Sequence, residues 1–123
     1  MPAAKAGRAP VVFDALAFSE DLRRTTDTGR SVAVQARRVY ERDGCPVADL
    51  LACDGEAQDG TRLHGCVKVY LPPPAGKFGM VFEISRRGGT VVLAYLSFGV
   101  RHHPPDSHAL TAYGIADRRL DES

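Results

Sequence analysis

The sequence contains no tryptophan and no apolar run that approaches the roughly 20 residues needed to cross a bilayer. Residues 1–10 carry charge but lack the apolar segment of a signal peptide, and we expect them to form a flexible arm. The remaining residues, 11–123, are predicted to form a single domain, because a chain of 123 residues suits one hydrophobic core. We expect a cytoplasmic protein that does not associate with membranes.

Cysteine is scarce. The residues Cys45, Cys53 and Cys66 are odd in number and lack the C-x-x-C spacing, which argues against a disulfide framework and against a zinc site. We expect reduced thiols, with Cys66 in the core of a strand. Neither a metal ion nor another cofactor is expected.

The net charge is small, at +1, but it is unevenly distributed. Residues 11–60 carry ten acidic against six basic side chains, whereas residues 61–103 carry six basic side chains against Glu83 alone. A basic block of this kind suits a polyanionic partner. It is equally typical of the solvated face of a sheet, so both interpretations remain open.

The first half of the chain reads as a strand followed by helices. An apolar run predicts a strand over 11–18, and the acids that follow predict a helix start at 19–21. The clearest helix is predicted over 31–42, where apolar residues fall on one stripe, with Gly44 placed to end it. A short second helical piece is predicted over 46–51.

The second half has the period of strands. The alternation of apolar residues changes near residue 63, and the run from 90 to 100 has the apolar character of a strand covered on both faces. We predict strands over 67–71, 80–85 and 90–100, a hairpin turn over 86–89, a short strand over 111–113 and a helical turn over 116–120. This order predicts an α+β domain in which helices pack on a small antiparallel sheet, in the sequence β-α-α-β-β-β.

Four runs in this half carry a recognisable pattern: LHGCVKVYL, GKFGMVFEI, TVVLAYLSFGVRHH and AYGIADRRL. Together, over about residues 63–120, they resemble the RelE/ParE toxin superfamily. Members of this family that cut RNA are metal-free endonucleases of messenger RNA, usually acting on the ribosome, in which a ribose 2′-OH attacks its own phosphate. The resemblance therefore implies the toxin of a toxin–antitoxin pair, with messenger RNA on the ribosome as substrate and a cognate antitoxin as partner.

The resemblance also implies roles for individual residues. Arg101 matches the arginine after the long strand and would bind phosphate oxygens, while Lys68 matches a strand lysine and would stabilise their charge. Tyr113 matches a tyrosine suited to base stacking or proton transfer, and His102 is a candidate acid or base because imidazole titrates near neutrality. The expected RNA-binding residues are Lys77, Arg86, Arg87 and His103.

Each of these residues also has a structural interpretation. Lys68 fits a solvated strand face, Tyr113 fits packing, and the His-His-Pro-Pro run fits an exposed loop after a sheet edge. Arg118 and Arg119 fit surface charges near the end of the chain, and the weak candidate His64 fits a turn.

One position departs from the family pattern. Gly79 follows Phe78 where many family nucleases have an arginine, and the loss of one oriented donor costs about 3–4 kcal/mol of transition-state stabilisation. Nine residues also separate His103 from Tyr113, a longer stretch than is usual in the family. These differences favour an alternative, a non-enzymatic binding protein on the same fold that inhibits gyrase or only binds its partner. A third possibility, a general nucleic-acid-binding protein, depends on the basic block alone.

Overall fold

The computed structural model describes residues 6–53, 65–71, 78–100 and 111–122, and these residues form an α+β fold. They comprise three α-helices, a mixed five-stranded sheet and a separate two-stranded ladder. The elements in chain order are β1 (Arg8–Ala9), β2 (Val11–Val12), α1 (Ala15–Arg23), α2 (Asp27–Asp43), β3 (Cys45–Pro46), a 3-10 turn (Val47–Asp49), β4 (Leu51–Ala52), β5 (Cys66–Tyr70), β6 (Phe78–Arg87), β7 (Thr90–Val100) and α3 (Ala112–Glu122).

The strands of the large sheet lie in the order β2-β7-β6-β5-β4. The last four form antiparallel pairs, whereas β2 pairs in parallel with β7. The sheet is therefore mixed, and the prediction of an antiparallel sheet was wrong in this respect. A parallel pair needs a long connection, and the chain between β2 and β7 contains both α1 and α2 and the strands β3, β4, β5 and β6. The paired β1 belongs to the segment that the sequence analysis assigned to the arm.

The hairpin that joins β6 to β7 turns at two glycines. Gly88 and Gly89 have φ values of 59° and 83°, the left-handed conformation that two-residue hairpin turns require. The predicted turn over 86–89 was too long, since Arg86 and Arg87 still pair with β7. The prediction of a central strand over 90–100 is confirmed.

The first helix begins where the sequence analysis placed a strand. Asp14 caps α1, because its Oδ1 accepts hydrogen bonds of 3.0 Å from the backbone N–H groups of Leu16 and Ala17. Phe18 is buried in the core while Leu16 is 84% exposed, as on the two sides of an amphipathic helix. The strand over 11–18 and the helix start at 19–21 were therefore wrong, since β2 ends at Val12.

The second helix begins four residues earlier than predicted, at Asp27, and ends one residue later, at Asp43. Thr26 caps it by accepting a 3.0 Å hydrogen bond from the N–H of Gly29. It ends as predicted at Gly44, which has φ 84° and donates its N–H to the carbonyl of Tyr40 at 2.9 Å. The second helical piece predicted over 46–51 is a single 3-10 turn.

Helices cover both faces of the large sheet. Side chains of α1 and α2 pack on one face, which we call the hairpin face, and side chains of α3 pack on the other, the α3 face. The buried residues of the α3 face are Cys53, Cys66, Val81, Ala112, Tyr113 and Ala116. The strand predicted over 111–113 is a single bridge between Thr111 and Val100, and the helix predicted over 116–120 begins at Ala112.

A buried ion pair fastens α3 to α1 and to the edge of β7. Both Nη atoms of Arg119 lie 2.8 Å from the carboxylate oxygens of Asp21, whose side chain has no exposed surface. Arg119 also donates to the carbonyl of Leu96 at 2.7 Å, and Asp21 accepts the N–H of Phe98 at 3.1 Å. These two side chains thus satisfy backbone groups of β7 beyond the two residues that pair with β2. The Arg119 side chain is consequently largely buried and is not the predicted surface charge.

Candidate functional site

The structure describes only some of the residues predicted for catalysis or RNA binding. Side chains are described for Lys68, Tyr113 and Arg86, and only the backbone is described for Arg87. Arg101, His102, His103, Lys77 and the weak candidate His64 lie outside the described residues. Lys68 and Tyr113 are the two predicted catalytic residues within the described part of the chain, and they define the candidate site.

Lys68 and Tyr113 come together on the α3 face. The Nζ atom of Lys68 lies 5.1 Å from the centroid of the Tyr113 ring and 5.4 Å from that of Tyr70. Both distances are within the range in which an aromatic face attracts a cation. Lys68 is only 3% exposed, so its assignment to a solvated strand face was wrong. We call Lys68, Tyr70 and Tyr113 the lysine–tyrosine cluster.

Short contacts fix the start of α3, and with it Tyr113. The hydroxyl of Ser97 donates to the carbonyl of Ala112 at 2.6 Å, and the hydroxyl of Thr111 accepts the N–H of Gly114 at 3.1 Å. A Cβ atom at Gly99 would lie 3.1 Å from the backbone nitrogen of Ala112, a tight contact. Glycine at 99 therefore lets the helix approach the sheet closely enough for Tyr113, itself 3% exposed, to reach Lys68.

Gly79 lies on the same face of the sheet as the lysine–tyrosine cluster. The register pairs Tyr70 with Gly79 and Gly79 with Gly99, so all three share one face of the sheet. Tyr70 is two positions from Lys68 in β5, and alternate residues of a strand share a face. Gly79 therefore leaves this face without a side chain beside Tyr70.

The end of β7 lies beside the start of α3. Val100 is the last residue of the strand, pairs with Phe78 and bridges to Thr111. Arg101 follows it directly in the sequence. Arg86, by contrast, is exposed and lies five residues along β6 from Val81, the partner of Lys68, which is about 17 Å of strand. The structure therefore does not bring Arg86 to the lysine–tyrosine cluster.

A polar cleft of about 850 Å³ borders the same end of β7. Val100 and Gly99 line it together with charged residues of α1, of α3 and of the junction that follows α1: Glu20, Asp21, Arg24, Arg118 and Arg119. Most of these charges are paired within the cleft, since Arg24 lies 2.8 Å from Glu20 and Arg119 binds Asp21. The cleft therefore has a small net positive charge, to which the exposed Arg118 contributes.

Burial makes two of the three thiols, those of Cys45 and Cys66, weakly acidic. Burial, with a smaller contribution from Glu83, raises the pKa of Cys66 to about 11, and burial raises that of Cys45 to about 11 as well. Because the thiolate is the reactive form, thiols this basic are poor nucleophiles near neutral pH. Among the described residues no group of His, Cys, Asp and Glu is arranged to hold a metal ion.

Sequence reasoning missed Tyr70, although a signal for it was present. Tyr70 follows Lys68 by two positions in a strand, so alternation alone places it on the same face. Nothing in the sequence indicated the charged cleft, because its residues come from four separate elements.

Comparison with protein-family models, with curated proteins and with solved structures finds no match to this chain. No helix in the described parts of the chain is both long enough and apolar enough to span a membrane.

Proposed function

We propose that this protein is the toxin of a toxin–antitoxin pair and a metal-independent endoribonuclease that cuts messenger RNA on the ribosome. The observation that carries the proposal is the contact of Lys68 with Tyr113, two residues that the family resemblance assigns to one site and that lie 45 positions apart in the chain. The proximity of Lys68 and Tyr113 supports the resemblance to the RelE/ParE superfamily for the α3 face of the sheet.

The proposed reaction needs no group beyond RNA and the side chains. The ribose 2′-OH attacks the adjacent phosphorus, the bond from phosphorus to the 5′ oxygen breaks, and the products carry a 2′,3′-cyclic phosphate and a 5′-OH. Lys68 stabilises the negative charge that develops on the phosphate oxygens, and Arg101 binds those oxygens with its planar guanidinium. His102 and Tyr113 are assigned to proton transfer, with base stacking a further role of Tyr113.

Because Lys68 is buried, the proposed reaction requires a change in the packing around its side chain. At 3% exposure, with the rings of Tyr70 and Tyr113 near its ammonium group, the side chain meets a phosphate only after part of this packing has opened. Tyr70 is the more exposed of the two rings, at 38%. We therefore propose that a phosphate reaches the ammonium group of Lys68 from the side of the cluster where Tyr70 lies.

The same burial favours a second candidate function. A lysine enclosed by two aromatic rings can serve packing alone, and Gly79 leaves the α3 face without the arginine of the family pattern. The protein would then be a non-enzymatic binding protein that inhibits gyrase or only binds its antitoxin.

Induced expression followed by mapping of ribosome-bound messages tests the proposal. We expect growth arrest with cut messages from the wild-type chain, no cutting from Arg101→Ala, and undiminished cutting from the control Glu83→Ala, which alters an exposed side chain. Arrest with intact messages and damaged DNA would instead identify gyrase as the target. Absence of arrest would identify a member that only binds its partner.

A further inference from the structure

Two of the three cysteines face each other across neighbouring strands. The antiparallel register of β4 and β5 pairs Leu51 with Lys68 and Ala52 with Val67. One further step of this register places Cys53 opposite Cys66, and the N–H of Cys53 donates to the carbonyl of Cys66 at 3.4 Å. The two residues therefore form a cross-strand pair at the end of the ladder.

The geometry of such a pair suits a disulfide. Residues directly opposite each other in antiparallel strands have Cα atoms about 4.5–5.5 Å apart, with both side chains on one face. Disulfides join residues whose Cα atoms are roughly 4.4–6.8 Å apart. Cys53 and Cys66 are 0% and 4% exposed and belong to the same buried cluster on the α3 face. Cys45 belongs to the cluster on the hairpin face, so the sheet separates it from both.

The strand β4, which this bond would link to β5, makes few other stabilising contacts. β4 is a two-residue strand at the edge of the sheet, and both of its residues are exposed, Leu51 by 44%. The bond would close a loop over the twelve residues 54–65 and hold β4 against β5. Closing a loop in this way stabilises a fold mainly by restricting the unfolded chain.

We propose that Cys53 and Cys66 form an intramolecular disulfide when the protein reacts with a low-molecular-weight disulfide. The thiolate of one cysteine attacks a sulfur of the oxidant, whose S–S bond breaks and releases one thiol. The second cysteine then attacks the mixed disulfide, the Cys53–Cys66 bond forms and a second thiol leaves. The two cysteines lose two protons and two electrons, and the oxidant is reduced to two thiols. This proposal is independent of the ribonuclease activity.

The high pKa of the Cys66 thiol makes this reaction slow in the folded protein, because little thiolate is present near neutral pH. The experiment therefore uses two starting materials, the folded protein and the reduced, denatured protein. The folded full-length chain is incubated for days with oxidised glutathione, and the reduced, denatured chain is refolded in a mixture of oxidised and reduced glutathione. Free thiols are then alkylated and the bonds are located by mass spectrometry.

The expected product in both samples is a monomer with a Cys53–Cys66 bond and a free Cys45. Trypsin cuts after Arg42, Arg62 and Lys68, so this bond joins peptide 43–62, which also contains Cys45, to peptide 63–68. Fragmentation of the linked pair then shows that Cys53 carries the bond and Cys45 the alkyl group. In an unfolded chain the shorter loop closes more readily, which favours Cys45–Cys53. If Cys53–Cys66 forms in preference to Cys45–Cys53, the pairing of β4 with β5 in the folded protein is the cause.

Variants provide the matched control. Cys45→Ala should still link peptide 43–62 to peptide 63–68, whereas Cys53→Ala and Cys66→Ala should give no such link. Oxidation should raise the melting temperature of the wild type and of Cys45→Ala by about 10 °C and leave the other two variants unchanged. The proposal is overturned if Cys53 and Cys66 stay reduced in both samples, remain as mixed disulfides with glutathione, or pair mainly with Cys45 or with a second chain.

Discussion

Replacement of Asp21 by alanine should lower the free energy of unfolding by about 3–5 kcal/mol, the largest loss that we expect from a single side chain. The carboxylate accepts hydrogen bonds from Arg119, from the hydroxyl of Tyr95 at 2.5 Å and from the N–H of Phe98. Without it, a guanidinium whose side chain is only 15% exposed loses its main partner, and two further buried donors lose theirs. Urea unfolding, followed by circular dichroism, measures the loss.

Glu20→Ala is the control for this variant. Glu20 precedes Asp21 in α1 and also lies near Arg119, at 3.6 Å, but its side chain is 44% exposed. Because solvent screens the exposed carboxylate of Glu20, its pair with Arg119 contributes about 1 kcal/mol or less. Asp21→Asn should behave like Asp21→Ala, because the amide nitrogen would face the donors of Arg119. Equal, small losses from Asp21→Ala and Glu20→Ala would show that the buried pair does not hold α3 to the rest of the fold.

Lys68→Met should lower the rate of RNA cleavage about 10²–10³-fold while leaving the protein folded. Methionine has a similar length and no charge, so it keeps the apolar packing of the buried lysine stem and removes only the ammonium group. The variant should therefore lose RNA-cleavage activity without a comparable loss of stability. The measurement compares cleavage rates on ribosome-bound message with melting temperatures of the same preparations.

Arg38→Met is the matched control, because it makes the same change of cation to methionine at an exposed residue of α2, a helix that packs on the hairpin face. It should leave the cleavage rate unchanged. A Lys68→Met protein that cleaves like the wild type would remove Lys68 from the reaction, and one that fails to fold would show that the ammonium is required for packing.

The elements that local sequence determines were predicted well. β7 was located from its apolar run between a glycine pair and Arg101, and the end of α2 from Gly44. The apolar run over 11–18 was misread because a short run fits either a strand or a buried helix, and the capping role of Asp14 decides between them.

The candidate site depended on packing that one sequence does not display. Alternation along β5 correctly separated Lys68 from its neighbours Val67 and Val69, but it does not show that a helix more than forty positions later covers that face. The ion pair of Asp21 with Arg119 could not be predicted in the same way, because the two residues are 98 positions apart and periodicity relates only residues that are close in the sequence.

The chemistry of the cut ends tests the proposed function most directly. Purified protein is incubated with ribosome-bound message in the presence of EDTA, and the termini of the fragments are identified enzymatically. Attack by the 2′-OH predicts cleavage that EDTA does not slow, with a 2′,3′-cyclic phosphate on one fragment and a 5′-OH on the other. Intact message, or fragments that carry a 3′-OH and a 5′-phosphate, would contradict the proposal.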